Sequence, residues 1–212
     1  MKKLISAIMA GAYIGLGATV YLVTENKVAG SFFFCVGIFL VMNYYNLLFT
    51  KVVPFFTHGK YTIKDIAITF VGNMIGGVVY SFLISLTRLS DKLESKVNSI
   101  MNVKLNDNYL SLFIMALFCA VLVAYATFGE KVYPDNKLLS VLFTFLFIMA
   151  FVMCGFDHIV ANMFYYSFYS IENGFSLNLL PSFITVLIGN IVGGLGIGYL
   201  ELYRTTQCNT QQ

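Results

Sequence analysis

An aspartate and a histidine stand side by side within a long apolar stretch of this chain. The segment CGFDHIVANM, at residues 154–163, contains Asp157, His158 and Asn162, and its surroundings carry no other charge. Ionisable side chains in apolar surroundings are costly, so they usually line a pathway or pair with each other. A histidine can donate a hydrogen bond or exchange a proton near neutral pH. His158 is therefore the prime candidate for chemistry, and a satisfied core histidine is the alternative.

The amino-acid composition indicates the class of protein in which these residues lie. The chain has 212 residues, of which 58% are hydrophobic and only 11% are charged, whereas soluble domains carry about 25% charged residues. It also contains 21 Phe and 14 Tyr, which disordered chains lack. These numbers exclude a soluble domain and a disordered chain, and they predict an all-α integral membrane protein that partners with the lipid bilayer. The net charge of +3 is too small to indicate nucleic acid as a partner.

The apolar segments number six, which is about what this length allows when one span takes about 20 residues. They cover residues 4–23, 30–56, 63–86, 110–128, 138–169 and 179–203. The second and the fifth are long and carry polar inserts, so we expect breaks near Asn46–Thr50 and Gly155–Asn162. The charged stretch at residues 88–107 predicts a loop.

A repeated motif relates the two halves of the chain. GNMIGG begins at Gly72 and GNIVGG begins at Gly189, an offset of 117 residues that also carries Phe34 onto Phe151. Three spans in each half give the halves opposite orientations, which is an inverted 3+3 repeat within one domain of residues 1–212. The half-repeats are about 1–95 and 100–212.

The repeated motifs have a structural interpretation as well. Small residues let membrane helices approach closely, and Asn73 and Asn190 can bond the broken backbone of a neighbouring helix. We expect these two side chains to support the interrupted loops, together with Asp157 and Asn162.

The basic residues predict the orientation in the membrane. The side that holds both termini collects eight Lys and Arg residues, and the other side collects five. The positive-inside rule then places both termini in the cytoplasm of a multi-pass plasma-membrane protein. We expect His58, in a basic loop, to be a solvated surface residue.

Other functional classes are less well supported. The chain shows no nucleophile–base pair, no clustered metal ligands and no cofactor loop, so we predict neither an enzyme nor a cofactor or metal site. A structural membrane protein would not need two polar-bearing spans. A neutral-solute pore of the aquaporin type remains the alternative, although neither of its two Asn-Pro-Ala motifs is present.

The polar insert resembles a family signature. GFDHIVANM is similar to the GFEHSVANM signature of the formate/nitrite transporter family, and LFTKVV at residues 48–53 resembles that family's LFTSTV. The paired GN-small-GG motifs resemble its third and sixth helices. The resemblance implies an aquaporin-like fold of six helices with the second and fifth broken, a homopentamer, and one pore in each protomer for small monovalent anions such as formate, nitrite, hydrosulfide, acetate or lactate.

The resemblance also implies roles for individual residues. His158 takes the place of the central pore histidine and Thr50 that of the threonine facing it, with Asp157 in the place of a glutamate. The apolar constriction residues it implies are Leu48, Phe34, Ile38 and Phe151, with the two phenylalanines narrowing the pore from either side. Two positions depart from the family pattern. Leu117 stands where the family has an asparagine, and Lys104, the candidate for the vestibule lysine, lies three residues out of register.

Two mechanisms remain open at this point. A weak acid protonated on the way would pass the apolar rings as a neutral molecule, which makes protons a second partner. A neutral imidazole that only donates a hydrogen bond would instead let the substrate pass as an anion.

Overall fold

The computed structural model describes residues 1–209, without the side chains of residues 130 and 207–209. Nine α-helices make up almost all of this range. Their bounds are α1 Lys2–Val23, α2 Lys27–Asn43, α3 Phe49–Phe56, α4 Ile63–Ser85, α5 Ser90–Asn106, α6 Tyr109–Val132, α7 Lys137–Cys154, α8 Ile159–Asn173 and α9 Leu180–Asn209, the last preceded by a short 3₁₀ helix.

Within the described residues, five helices are long and apolar enough to cross a membrane, namely α1, α4, α6, α7 and α9. The apolar helix α2 has only 17 residues, because the second long segment of the sequence is divided between α2 and α3. The fifth segment is divided in the same way between α7 and α8. The fold is therefore that of an all-helical membrane protein with two interrupted segments.

The two interruptions fall close to the predicted places. Residues 44–48 separate α2 from α3, and residues 155–158 separate α7 from α8. Gly155 ends α7 in the left-handed conformation with φ 71°, which glycine adopts without the steric cost of a Cβ. In the first break Tyr45 has φ 52°, an uncommon conformation for a residue with a side chain.

Close packing between helices uses the glycines of the repeated motifs. A Cβ on Gly76 would lie 2.0 Å from the backbone oxygen of Ile8 in α1, and one on Gly193 would lie 2.3 Å from that of Leu117 in α6. Only glycine fits at such distances, so α4 packs backbone to backbone on α1, and α9 packs on α6.

The stretch at residues 88–107, predicted as a loop, is largely the helix α5. The loop prediction relied on charge and overlooked Leu93, Val97 and Met101, which recur every four residues and are fully buried. This spacing puts them on one face of a helix. That face packs against α8 and α1, so α5 covers one end of the helix bundle.

Two basic residues are less exposed than the sequence suggests. His58 was expected in solvent, but its ring packs near Phe55 and Phe128, and its Nε2 atom is buried. Lys51, one of the eight basic residues that the sequence analysis assigned to the side of the termini, lies inside α3 and is only 8% exposed. Because α3 is a short helix within the bundle, residues that follow Thr50 closely are covered by neighbouring helices.

Candidate functional site

The centre of the site is a hydrogen bond between the two interrupted segments. The Oγ1 atom of Thr50 lies 2.8 Å from Nε2 of His158, and both residues are buried. The other ring nitrogen of His158, Nδ1, accepts a hydrogen bond from the backbone N–H of Ala161 at 3.2 Å. A neutral imidazole carries one N–H, so this geometry assigns the hydrogen to Nε2, which donates to Thr50. The hydroxyl hydrogen of Thr50 then has no acceptor among the described residues.

The same contact brings two helix N-termini together. Leu48 is the N-cap of α3 and His158 is the N-cap of α8, so both helices begin at the Thr50–His158 contact and run away from it. A helix N-terminus carries a partial positive charge of roughly half an elementary charge. Two such termini favour negative charge at the centre of the helix bundle.

Two asparagines hold the breaks in place with matching sets of hydrogen bonds. Asn73 accepts from the backbone N–H of Phe49 and donates to the backbone oxygens of Leu47 and Ala7. Asn190 accepts from the N–H of Ile159 and donates to the oxygens of Asp157 and Ala116. Each asparagine thus satisfies backbone groups that the interruption leaves free.

Apolar side chains enclose the polar pair. The rings of Phe34 and Phe151 pack edge to face with centroids 5.7 Å apart, and the ring of Phe151 lies 5.6 Å from that of His158. The two phenylalanines therefore contact each other. Ile38 and Leu48 are buried as well, and none of these residues is more than 3% exposed.

Lys104 lies beside this centre, in spite of its shifted position in the sequence. Its ammonium group contacts the carboxylate of Asp157, and the same carboxylate oxygen accepts from Asn162 at 3.2 Å. The helix α5 brings Lys104 to this place. Burial lowers the pKa of Lys104 to about 8, because an apolar environment disfavours the charged ammonium.

A cavity of about 270 Å³ opens from Phe34, Phe151 and His158 towards the end of the bundle covered by α5. We call it the α5 vestibule. Its charged residues are Lys104, Asp107 and Asp157, so one positive charge faces two carboxylates. The described lining therefore has no excess of positive charge that would attract anions. A second cavity of about 270 Å³ lies at the other end, between the last turn of α2 and the first turns of α7.

Residues of α6 and α8 contribute to the packing and to the α5 vestibule. Leu117, predicted to stand in place of the family's asparagine, packs its backbone against Gly193 of α9. The α6 residues that line the α5 vestibule are Leu112 and Met115, and Tyr165 of α8 lines it too. Tyr165 lies seven residues after His158, a spacing of two helical turns that places both residues on one face of a helix. The sequence analysis did not use this spacing.

Metal chemistry finds no support in the part of the chain that the structure describes. No group of three His, Cys, Asp or Glu side chains there is placed to hold a metal ion. The polar groups of the site are donors and one ion pair, which suit binding rather than bond-breaking chemistry.

Known proteins resemble this chain in sequence. The uncharacterized transporter YrhG of Bacillus subtilis (strain 168) is 32% identical over 163 residues, which is 68% of this chain and 58% of that protein. The formate channel BtFdhC of Bacillus thuringiensis is 31% identical over 146 residues, 66% of this chain and 54% of that protein. The matches thus span little more than half the length of these curated relatives.

Solved structures share the fold over nearly the whole chain. A pentameric formate channel with formate bound has a TM-score of 0.79 and 24% identity, covering 95% of this chain and 96% of that one. An ion channel of the FNT family also has a TM-score of 0.79, with 23% identity, and covers 95% of this chain and 89% of that one. The sequence model described as "Formate/nitrite transporter" matches residues 1–203, and the chain therefore belongs to the formate/nitrite transporter family, a family of membrane transport proteins and not of enzymes.

Proposed function

We propose that this protein is a membrane channel for small monovalent weak-acid anions of the formate and nitrite class. The observation that carries the proposal is the buried hydrogen bond between Thr50 and His158, which joins the two interrupted segments. Neutral donors at the centre of an apolar enclosure suit an ion that is small, singly charged and able to accept hydrogen bonds.

The energetic problem that such a channel must solve is desolvation. Moving a bare anion into an apolar medium costs on the order of tens of kcal/mol by Born estimates. Three features of the site offset part of this cost: the N–H of His158, the free O–H of Thr50, and the N-termini of α3 and α8. Phe34 and Phe151 exclude water on one side of these groups, which strengthens each electrostatic contact.

The tautomer of His158 supports passage by hydrogen bonding over proton donation. An imidazolium needs a hydrogen on both ring nitrogens, but Nδ1 already accepts the N–H of Ala161. Charging the ring would break this cap and leave two N–H groups facing each other. The chain thus favours a neutral donor at the centre, and a protonated substrate would have to take its proton from solvent before it reaches Phe34.

The proposed topology is an inverted repeat of six spans, aquaporin-like, with both termini on the cytoplasmic side of the plasma membrane. The matching hydrogen bonds of Asn73 and Asn190 support it. Single cysteines in place of the exposed Lys27 and Lys60, in a background in which the native cysteines are serines, test it by reagent labelling. We expect label from outside at position 27 and from inside at position 60, and label from one side at both would contradict this topology.

The proposed assembly is a homopentamer with one pore in each protomer. The related formate channel is pentameric, and the outer faces of α4 and α9 expose apolar residues that a neighbouring protomer would cover. They include Val79, Phe82, Leu83, Ile184, Ile188 and Val192. The mass of the solubilised protein tests this, and a stable monomer or dimer would argue against it.

The test of the function is substrate flux in proteoliposomes. Formate, nitrite, hydrosulfide, acetate and lactate are offered at several pH values, with water and glycerol permeation measured in the same vesicles. We expect flux of the anions that saturates with their concentration, and no glycerol flux. Glycerol or water flux without anion flux would instead support the neutral-solute pore.

A further inference from the structure

A serine of α1 contacts the first break, residues 44–48, just before α3 begins. The hydroxyl of Ser6 donates to Oδ1 of Asn46 at 3.1 Å, and its oxygen accepts the backbone N–H of Leu47 at 3.1 Å. Asn46 is only 8% exposed, and Ser6 is half-buried. A single hydroxyl therefore satisfies two polar groups of the break from a neighbouring helix.

The first break needs contacts from other helices to keep its shape. Tyr45, which precedes Asn46, has φ 52°. This left-handed conformation is unfavourable for a residue with a side chain, and it persists only when the surrounding structure imposes it. Leu48, the N-cap of α3, makes no side-chain capping hydrogen bond. The residues of the break therefore do not fix the start of α3 by themselves.

The second break is fixed by an ion pair as well as by its asparagine. The carboxylate of Asp157 contacts Lys104 and accepts a hydrogen bond from Asn162. Leu47 takes the place of Asp157 in the first break, because the backbone oxygen of each accepts a hydrogen bond from the repeated asparagine of its half. A leucine side chain can form no ion pair, so the hydroxyl of Ser6 gives the first break a contact of another kind.

Little of the chain separates this contact from the centre of the site. Only Leu48 and Phe49 lie between Leu47 and Thr50, and they form the start of α3. A displacement of Leu47 therefore moves the first turn of α3 and, with it, the hydroxyl of Thr50. The hydrogen bond of 2.8 Å to His158 depends on this placement, since hydrogen bonds weaken steeply when their geometry is lost.

We propose that Ser6 is a positioning residue for Thr50. By holding Asn46 and Leu47, it sets where α3 begins and keeps the hydroxyl of Thr50 at the distance from His158 at which both donors face the same point. This inference rests on the proposed function and adds to it a residue of α1 that lines neither of the two cavities beside the site.

Hydrogen–deuterium exchange tests the contact without any transport measurement. In the Ser6→Ala protein the amide of Leu47 loses its acceptor, so we expect it to exchange about ten-fold faster. The amide of Phe49, which donates to Asn73, should keep its rate. Ser31→Ala is the matched control, because the hydroxyl of Ser31 donates within its own helix, and it should change neither rate.

The wild-type protein provides a test that does not depend on the variant's assembly. The amide of Leu47 should be protected from exchange in the wild type, since it donates to Ser6. Exchange of this amide at the rate of an unprotected one would overturn the proposal. An unchanged Leu47 rate in an assembled Ser6→Ala protein would do the same.

A double-mutant cycle of formate flux in proteoliposomes separates positioning from a general structural role. We expect Ser6→Ala to lower the maximal flux about five-fold, and Ser6→Thr, which keeps a hydroxyl, to lower it less. In a Thr50→Val background Ser6→Ala should have little further effect, because the hydroxyl that Ser6 positions is already absent.

Two results of this cycle would contradict the role of Ser6. They are an equal fractional loss of flux in both backgrounds, and wild-type flux through an assembled Ser6→Ala protein. Failure of the proposed function looks different. The wild-type protein would then carry no formate, while the exchange rates of Leu47 and Phe49 would still report on the contact with Ser6.

Discussion

Thr50 and His158 are 108 residues apart in the chain, yet Oγ1 of Thr50 lies 2.8 Å from Nε2 of His158. Each belongs to one of the two interrupted segments, at the start of α3 and of α8. The contact requires that both breaks are held at the same depth in the bundle. The hydrogen bonds of Asn73 and Asn190 meet this requirement, since each ties one break to a continuous helix of its own half.

Asn190 should be essential for stability. In Asn190→Leu, the N–H of Ile159 and the backbone oxygens of Asp157 and Ala116 lose their partner. Each buried group left unpaired costs about 1–3 kcal/mol, so we expect a large fall in the melting temperature of the solubilised protein, or loss of assembly. Asn43→Ala is the control, because exposed Asn43 bonds only within its own helix. Equal melting temperatures for the two variants would contradict this account of Asn190.

Alanine substitutions at two glycines of α9 should change stability differently, according to what lies opposite each glycine. Gly193→Ala places a Cβ 2.3 Å from the backbone oxygen of Leu117, whereas Gly196 has nothing within 4 Å. Forcing a methyl group into a packed interface costs about 1–3 kcal/mol or more, so Gly193→Ala should melt at a lower temperature. Gly196→Ala should melt at or slightly above the wild-type temperature, since alanine favours helix by about 0.5–1 kcal/mol. The reverse order would show that α6 and α9 do not pack as described.

The ion pair of Lys104 should make formate flux depend on pH. Because burial lowers the pKa of Lys104 to about 8, the ammonium is present below that pH and is lost as the pH rises through it. Formate stays ionised throughout, so flux should fall as the pH rises above about 8. Lys104→Met should carry less formate below pH 8 and lose this dependence.

The control for this pH effect lies on the same helix. Lys96 of α5 is exposed and lines none of the site, so Lys96→Met should keep the wild-type profile. A fall in flux above pH 8 that survives in Lys104→Met would assign the effect to another group.

The parts of the fold that the sequence predicted are those that depend on local composition. Apolar segments, the inserts around Thr50 and His158, and the small residues flanking Asn73 and Asn190 each carry their own signal. These signals located both breaks within a few residues. These signals were sufficient because the backbone N–H and C=O groups of a membrane segment must be hydrogen-bonded within the protein. A break in a helix is therefore marked in the sequence by polar residues and glycine.

What sequence did not predict depends on the relative placement of helices. The charges of residues 88–107 concealed the buried face of α5, and with it the path by which Lys104 reaches Asp157. His58 was placed in solvent because its neighbours are polar, although Phe128 of another helix covers it.

The role of the Thr50–His158 pair is tested most directly by formate flux through the His158→Phe protein, compared with the same substitution at His58. Phenylalanine roughly keeps the volume of the ring and removes the donor, while His58 lies outside both cavities. Assembly is checked by size-exclusion chromatography, and Thr50→Val is measured alongside. We expect His158→Phe to lower flux at least ten-fold, Thr50→Val to lower it less because one donor remains, and His58→Phe to conduct like the wild type. Wild-type flux through a well-assembled His158→Phe protein would contradict the account.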